Sequence, residues 1–132
     1  MNDPTYAFTP IGFVRSSLRS AQGAPKQGSE GAPSAWIELE ARFAEAALGL
    51  TVGDHLILLT WLHEARRDLR RVHPRDDASA PLKGVFATRS ADRPNPIGLH
   101  PVILLAVDGV RLHVGPLEAI DGTPVLDLKP AL

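Results

Sequence analysis

Two Asp-Gly pairs, Asp108-Gly109 and Asp121-Gly122, punctuate the last third of the chain, and short apolar runs flank both. Residues 102–107 and 110–114 lie on either side of the first pair, and 117–120 and 123–128 on either side of the second. An Asp-Gly step between strand-compatible runs suits a tight turn, so each pair predicts an antiparallel hairpin. Upstream, residues 55–62, H-L-I-L-L-T-W-L, form the most continuous apolar run and predict a central strand buried on both faces. Residues 35–39 alternate around Trp36 and Ile37, and residues 7–14 carry Ile11, Phe13 and Val14, which gives two further strands. Helical spacing occurs at residues 40–50, where Phe43, Ala47 and Leu50 recur at intervals of three and four and Gly49 is placed to end the helix. Val52, Gly53 and Asp54 make a turn. Six or seven short strands with so little helix predict a mainly β protein, a single-domain β-barrel with one or two short helices. There is no internal repeat and no glycine-rich strand-to-helix turn of the dinucleotide-binding kind, which disfavours a doubly wound fold.

The stretch K-G-V-F-A-T-R-S-A-D-R-P-N-P-I-G-L-H-P, residues 83–101, changes character midway. Residues 85–88 read as a strand opened by Gly84, on whose alternation Val85, Ala87 and Arg89 share a face. Arg89, Ser90, Asp92, Arg93 and Asn95 then follow, and Pro94 and Pro96 bracket Asn95, fixing φ at each proline and extending the residue before it. The loop is stiff. A guanidinium held there, at Arg89, is a good receptor for carboxylate or phosphate. The competing reading is that Arg89 and Arg93 pair with Asp92 and tie down a turn.

Five arginines, Arg66, Arg67, Arg70, Arg71 and Arg75, fall within ten positions. In helical geometry Arg66 and Arg70, and likewise Arg67 and Arg71, lie one turn apart and form a two-row basic face able to meet phosphates. A solvated face offset by Glu64, Asp68, Asp76 and Asp77 explains the same pattern. At the end of the central strand His63 and Glu64 bring polar groups to what would be the rim of the barrel. His55 precedes the strand and anchors a turn. His73, His100 and His113 show no metal-ligand spacing with it or with one another.

The run G-V-F-A-T-R-S-A-D-R-P-N-P-I-G-L-H-P-V resembles the signature of the TrmO family, also called YaeB or TsaA-like, a group of β-barrel methyltransferases that use S-adenosylmethionine. I-G-F-V-R-S-S-L near the N-terminus and A-I-D-G-T-P-V-L-D-L-K-P near the C-terminus extend the resemblance over essentially the whole chain. It implies a cofactor site built from Pro25, Lys26 and Gln27, from His63 and Glu64, from Arg89 and Leu99, and from Asp121, Gly122, Thr123 and Pro124. The D-G-T-P turn would offer backbone groups to the edge of adenine, and Asp121 would accept hydrogen bonds from ribose or an amino group. His63, Glu64 and Asp92 are the candidates for a proton acceptor. The resemblance further implies transfer RNA as partner, with methylation of the exocyclic nitrogen of threonylcarbamoyl-adenosine beside the anticodon, and a homodimer that walls the pocket. Without the resemblance, the Gly-, Ser- and Pro-rich residues 20–34 would read as a long flexible loop.

Composition limits the alternatives. The chain of 132 residues suits one domain, with 44% hydrophobic and 22% charged residues. No cysteine is present, which excludes disulfides and thiolate metal sites. A formal net charge of -1 argues against a broad electrostatic grip on nucleic acid, so any RNA contact must be local. No secretory leader or membrane-length apolar run is evident, and a soluble cytoplasmic protein is the expectation. Many members of the family continue past the K-P motif into a second domain, whereas this sequence ends three residues after Lys129. That difference leaves two other readings open: a methyltransferase for a small molecule, and a non-enzymatic barrel that binds S-adenosylmethionine or a nucleotide.

Overall fold

The computed structural model describes residues 3–20 and 24–132, so the start of the 20–34 loop, residues 21–23, lies outside the described residues. Among the described residues eight strands are present: β1 (Gly12–Arg15), β2 (Ala35–Leu39), β3 (His55–Trp61), β4 (Arg71–Val72), β5 (Lys83–Gly84), β6 (Ile97–Asp108), β7 (Arg111–Gly115) and β8 (Pro124–Pro130). Six of them close into a barrel in the order β1-β2-β7-β6-β3-β8, and β4 and β5 form a separate two-stranded pair. Period-two burial explains why these segments are strands. On β6 every second residue from Gly98 to Leu104 is buried while its neighbours face outward. The interior is filled by Val14, Ile37, Leu56, Leu58, Leu104, Leu112 and Val125.

Several expectations are corrected. β3 is not buried on both faces: Leu56, Leu58 and Thr60 point inward, and Ile57, Leu59 and Trp61 lie half-buried on the outer face, as a barrel of one layer requires. β1 begins at Gly12 rather than residue 7. Pro10, which has no N–H, precedes the first ladder hydrogen bond, Ile11 N to Val125 O at 2.9 Å. The expected helix is a 3₁₀ helix over Ala41–Ala47, followed by Gly49 at φ 96°. Residues 117–120 are not a strand. They cross the end of the barrel, with Leu117, Ala119 and Ile120 buried as a plug, so Asp121-Gly122 is no hairpin turn. The other hairpin is real, but Asp108 pairs with Arg111 and its turn residues are Gly109 and Val110, with Gly109 at φ 61°.

Every neighbouring pair in the barrel is antiparallel. Hence β1, β3 and β7 run towards one rim, called upper here, and β2, β6 and β8 start from it. Three connections lie on the upper rim: residues 16–34, 62–96 and 116–123. The lower rim carries residues 40–54 and the tight turn 109–110. Among the described residues no helix is long and apolar enough to cross a membrane.

Leu58, fully buried, is one of the largest side chains in the core. Leu58→Ala is expected to lower unfolding free energy by about 2–5 kcal/mol. Chemical denaturation measures it, and a loss below about 1 kcal/mol would contradict the packing described.

Candidate functional site

With one exception, every residue singled out for function falls on an upper-rim connection or at the strand end that borders it. Pro25, Lys26 and Gln27 lie on the first; His63, Glu64, the arginine cluster, Arg89 and Asp92 on the second; Asp121, Gly122 and Thr123 on the third, with Pro124 starting β8. The exception is Leu99, on the outer face of β6 opposite Leu59 of β3.

The long second connection is zipped at its base. Leu62 N donates to Pro96 O at 2.8 Å, Arg66 N to Asp92 Oδ1 at 2.9 Å, and Arg93 N to Arg66 O at 3.1 Å. Arg67 adds Nε to Pro94 O at 2.7 Å and Nη2 to Asn95 Oδ1 at 3.2 Å, with its guanidinium 5.0 Å above the Trp61 ring. His63 and Glu64 are thereby held beside the signature loop, with His63 Nε2 3.7 Å from Glu64 Oε2. Asp92 is already engaged by a backbone N–H.

Residues 85–88 are not a strand. Val85–Ala87 is a 3₁₀ turn in which Thr88 N and Thr88 Oγ1 both donate to Val85 O, a local alternative that removes these groups from any ladder. The shared face of Val85, Ala87 and Arg89 therefore does not exist: Val85 is buried, and Ala87 and Arg89 are exposed. Neither loop arginine pairs with Asp92. Arg93 ties the turn, but through the carbonyls of Thr88 and Ser90 at 3.0 and 3.1 Å rather than through Asp92. Arg89 makes no hydrogen bond or ion pair among the described residues.

The arginine cluster is not helical, so its two rows do not form. Residues 64–70 are turns and bends, Arg71 lies in β4, and Arg75 sits at φ 56° with Nη2 2.6 Å from Glu30 Oε1. Arg66 forms a two-pronged pair with Asp68, at 3.0 and 2.7 Å. That pair holds the Asp68 carboxyl below its ordinary range and raises the Arg66 guanidinium. Lys26 pairs with Asp76, so two ion pairs dock the first connection onto the second.

On the third connection the N–H groups of Asp121, Gly122 and Thr123 donate to Leu18 O, Val14 O and Ile120 O. The donors of the turn are therefore engaged within the fold. Thr123 is buried and its hydroxyl donates to Ile120 O at 2.7 Å. Asp121 Oδ1 accepts from Ser16 N and Oδ2 from Arg19 Nη1, both at 3.0 Å. Beside it opens a cleft of about 570 Å³ lined by Arg15, Ser16, Arg19, Trp36, His113 and Asp121, among others. Gln27, His63, Arg89 and Thr123 do not line it.

Sequence reasoning missed the buried polar group beneath this rim: His100 bonded to Thr60 and Glu118. The signal was available, because the alternation of β6 puts His100 on the same inward face as Val102 and Leu104.

The sequence profile of the tRNA-methyltransferase O N-terminal domain matches residues 13–132. An S-adenosyl-L-methionine-binding protein from Archaeoglobus fulgidus is 40% identical over 120 residues, covering 91% of this chain and 85% of its own. A Methanothermobacter thermautotrophicus protein, named "Probable S-adenosyl-L-methionine-binding protein", is 40% identical over 130 residues, covering 98% of this chain and 93% of its own. The crystal structure of TrmO from Pseudomonas aeruginosa superposes with a TM-score of 0.78 at 35% identity, over 99% of this chain and 56% of that one. This chain thus spans little more than half the length of that TrmO chain.

Proposed function

The chain belongs to the TrmO family, and on that basis we propose that it binds S-adenosylmethionine at the upper rim and transfers the methyl group to the exocyclic nitrogen of threonylcarbamoyl-adenosine in transfer RNA. The observation that carries this reading is the gathering of three upper-rim connections, each bearing candidate residues, with the guanidinium of Arg89 on the signature loop left, like those of Arg70 and Arg71, without a partner among the described residues. An unpaired arginine on a stiff loop suits the carboxylate of the methionine moiety. The acceptor-rich D-G-T-P turn suits the amino group of adenine, which donates. The cofactor, when bound, supplies an activated methyl group on a sulfonium; the protein's task is to align it with the acceptor nitrogen. That nitrogen is attached to a carbonyl and needs to lose its proton, and in this reading the exposed His63 imidazole, with Glu64 beside it, takes it.

The site is completed by a second copy of the chain. Leu99 points outward, away from the interior, within a row on β6 that also exposes Ile97, Ile103, Leu105 and Val107 beside Ile57, Leu59 and Trp61 of β3. A continuous apolar sheet face of this kind is rarely left to water, and a two-fold axis on it brings Leu99 of each chain towards the other's rim. Transfer RNA is met by the arginines of the second connection, several of which are already paired with acidic neighbours.

A second reading, binding of S-adenosylmethionine without methylation of transfer RNA, is favoured by the archaeal relatives, which are named as S-adenosyl-L-methionine-binding proteins. Mass spectrometry of transfer-RNA nucleosides from cells with and without the gene decides between them. The methylated threonylcarbamoyl nucleoside is expected to disappear with the gene, and its persistence would remove the transfer-RNA assignment. Arg89→Ala is expected to weaken S-adenosylmethionine binding more than about tenfold in calorimetry, the scale of a lost charge-assisted hydrogen bond; unchanged affinity would exclude Arg89 from the site. Leu99→Asp is expected to yield a monomer in light scattering with weakened cofactor binding. A wild-type chain that is already monomeric would dispose of the shared site.

A further inference from the structure

Beneath the upper rim a chain of three side chains crosses the barrel interior. His100, 2% exposed, lies with Nδ1 2.6 Å from Glu118 Oε1 and Nε2 2.7 Å from Thr60 Oγ1. An ionised carboxylate can only accept, so Nδ1 carries the hydrogen, and in the neutral ring Nε2 accepts from the Thr60 hydroxyl. In the protonated ring Nε2 donates and the hydroxyl rotates to accept. Both bonds persist in either state.

The surrounding backbone is shaped to this chain. A Cβ on Gly98 would stand 2.5 Å from both His100 Nε2 and Thr60 Oγ1, so only glycine leaves space for the bond between them. At the other end, a Cβ on Gly28 would lie 3.2 Å from Glu118 Oε2 and 3.1 Å from Pro116 O; the carboxylate thus packs against the residue that follows Gln27. Thr60 is three residues before His63, Gly98 and His100 flank Leu99, and Glu118 is three residues before Asp121. One hydrogen-bonded chain therefore joins the two strands that bracket the second connection to the third connection, and abuts the first.

An apolar trio would fill the same space without the cost of desolvating a carboxylate and an imidazole, and directional bonds give in exchange one fixed geometry. We propose that His100 is a positioning residue of the S-adenosylmethionine site, holding Glu118 against Gly28 so that the Pro25–Gln27 segment and the D-G-T-P turn keep their spacing. The assignment rests on the cofactor reading given above. His100 does not touch the cofactor; it acts through Glu118.

Calorimetric titration with S-adenosylmethionine of the full chain and three variants tests it. His100→Asn places an amide nitrogen where Nδ1 stood and keeps the Glu118 contact, while His100→Phe keeps ring volume and loses both contacts. Glu118→Ala removes the carboxylate at a partly exposed position and guards against a phenylalanine variant that fails to fold. His100→Phe and Glu118→Ala are expected to bind about tenfold more weakly, the scale of one directed charged contact, and His100→Asn within about threefold of wild type. Melting temperature is expected to fall in all three, so affinity follows the Glu118 contact rather than stability. Glu118→Ala binding like wild type, or affinities that simply track melting temperature, would overturn the assignment. A wild-type chain that binds no S-adenosylmethionine would overturn the cofactor reading itself. Hydrogen exchange at the Gly28 and Gly122 amides of the ligand-free variants then tests positioning alone: faster exchange in Glu118→Ala but not in His100→Asn supports it, and equal rates refute it.

Discussion

The barrel exists because β1 meets β8, and that seam is short. Only Gly12 with Val125 and Phe13 with Pro124 pair in register across it. The rest of the closure comes from beyond the strand ends: Val14 N donates to Thr123 O at 2.9 Å, Gly122 N to Val14 O at 2.7 Å, and Asp121 extends the clasp to Ser16 and Arg19. On the other side of β1, a Cβ on Gly12 would meet Glu38 O at 2.3 Å, so glycine allows β1 to lie close enough to β2. An open sheet of six strands would expose two unpaired edges. The D-G-T-P motif is therefore first a fastener of the fold, with its N–H groups, the Thr123 carbonyl and the Asp121 carboxylate all engaged.

This double duty links structure to function. Residues that lock the barrel also shape its rim. The same economy holds on the second connection, where Arg67, Asp92 and Pro96 make the bonds that hold the neck shut. Arg89 differs from Arg67 and Arg93 in that its guanidinium bonds to none of these neighbours.

Where the sequence pattern reflected a single, local physical cause it was legible. Ala35–Leu39 alternates because one face meets the core, and the strand lies where the alternation places it. The barrel followed from many short strands and little helix. The errors share another cause: local patterns that tertiary contacts override. Residues 85–88 have strand composition, but the Thr88 hydroxyl and amide fold them onto Val85. Residues 117–120 are apolar because they plug the barrel, not because they pair. The spacing of Arg66 and Arg70 fits a helix, yet the segment is pulled into turns by bonds to residues more than twenty positions away. The candidate residues of the site came from the resemblance, and their convergence on one rim follows from strand direction, which no local window contains. The polar chain through His100 depends on three distant segments and so left only one trace, a histidine in register with core positions.

The neck at Leu62 and Pro96 has a wider consequence. From the barrel's side, the excursion between them is two fixed endpoints 2.8 Å apart at the hydrogen-bonded atoms. Because the entropic cost of closing a loop rises by only about 0.6 kcal/mol for each doubling of its length, such an excursion can be lengthened, shortened or exchanged with little penalty to the scaffold. Divergence in this fold can thus proceed by remodelling one appendage, with the His63, Glu64 and Arg89 it carries, while the barrel beneath stays untouched.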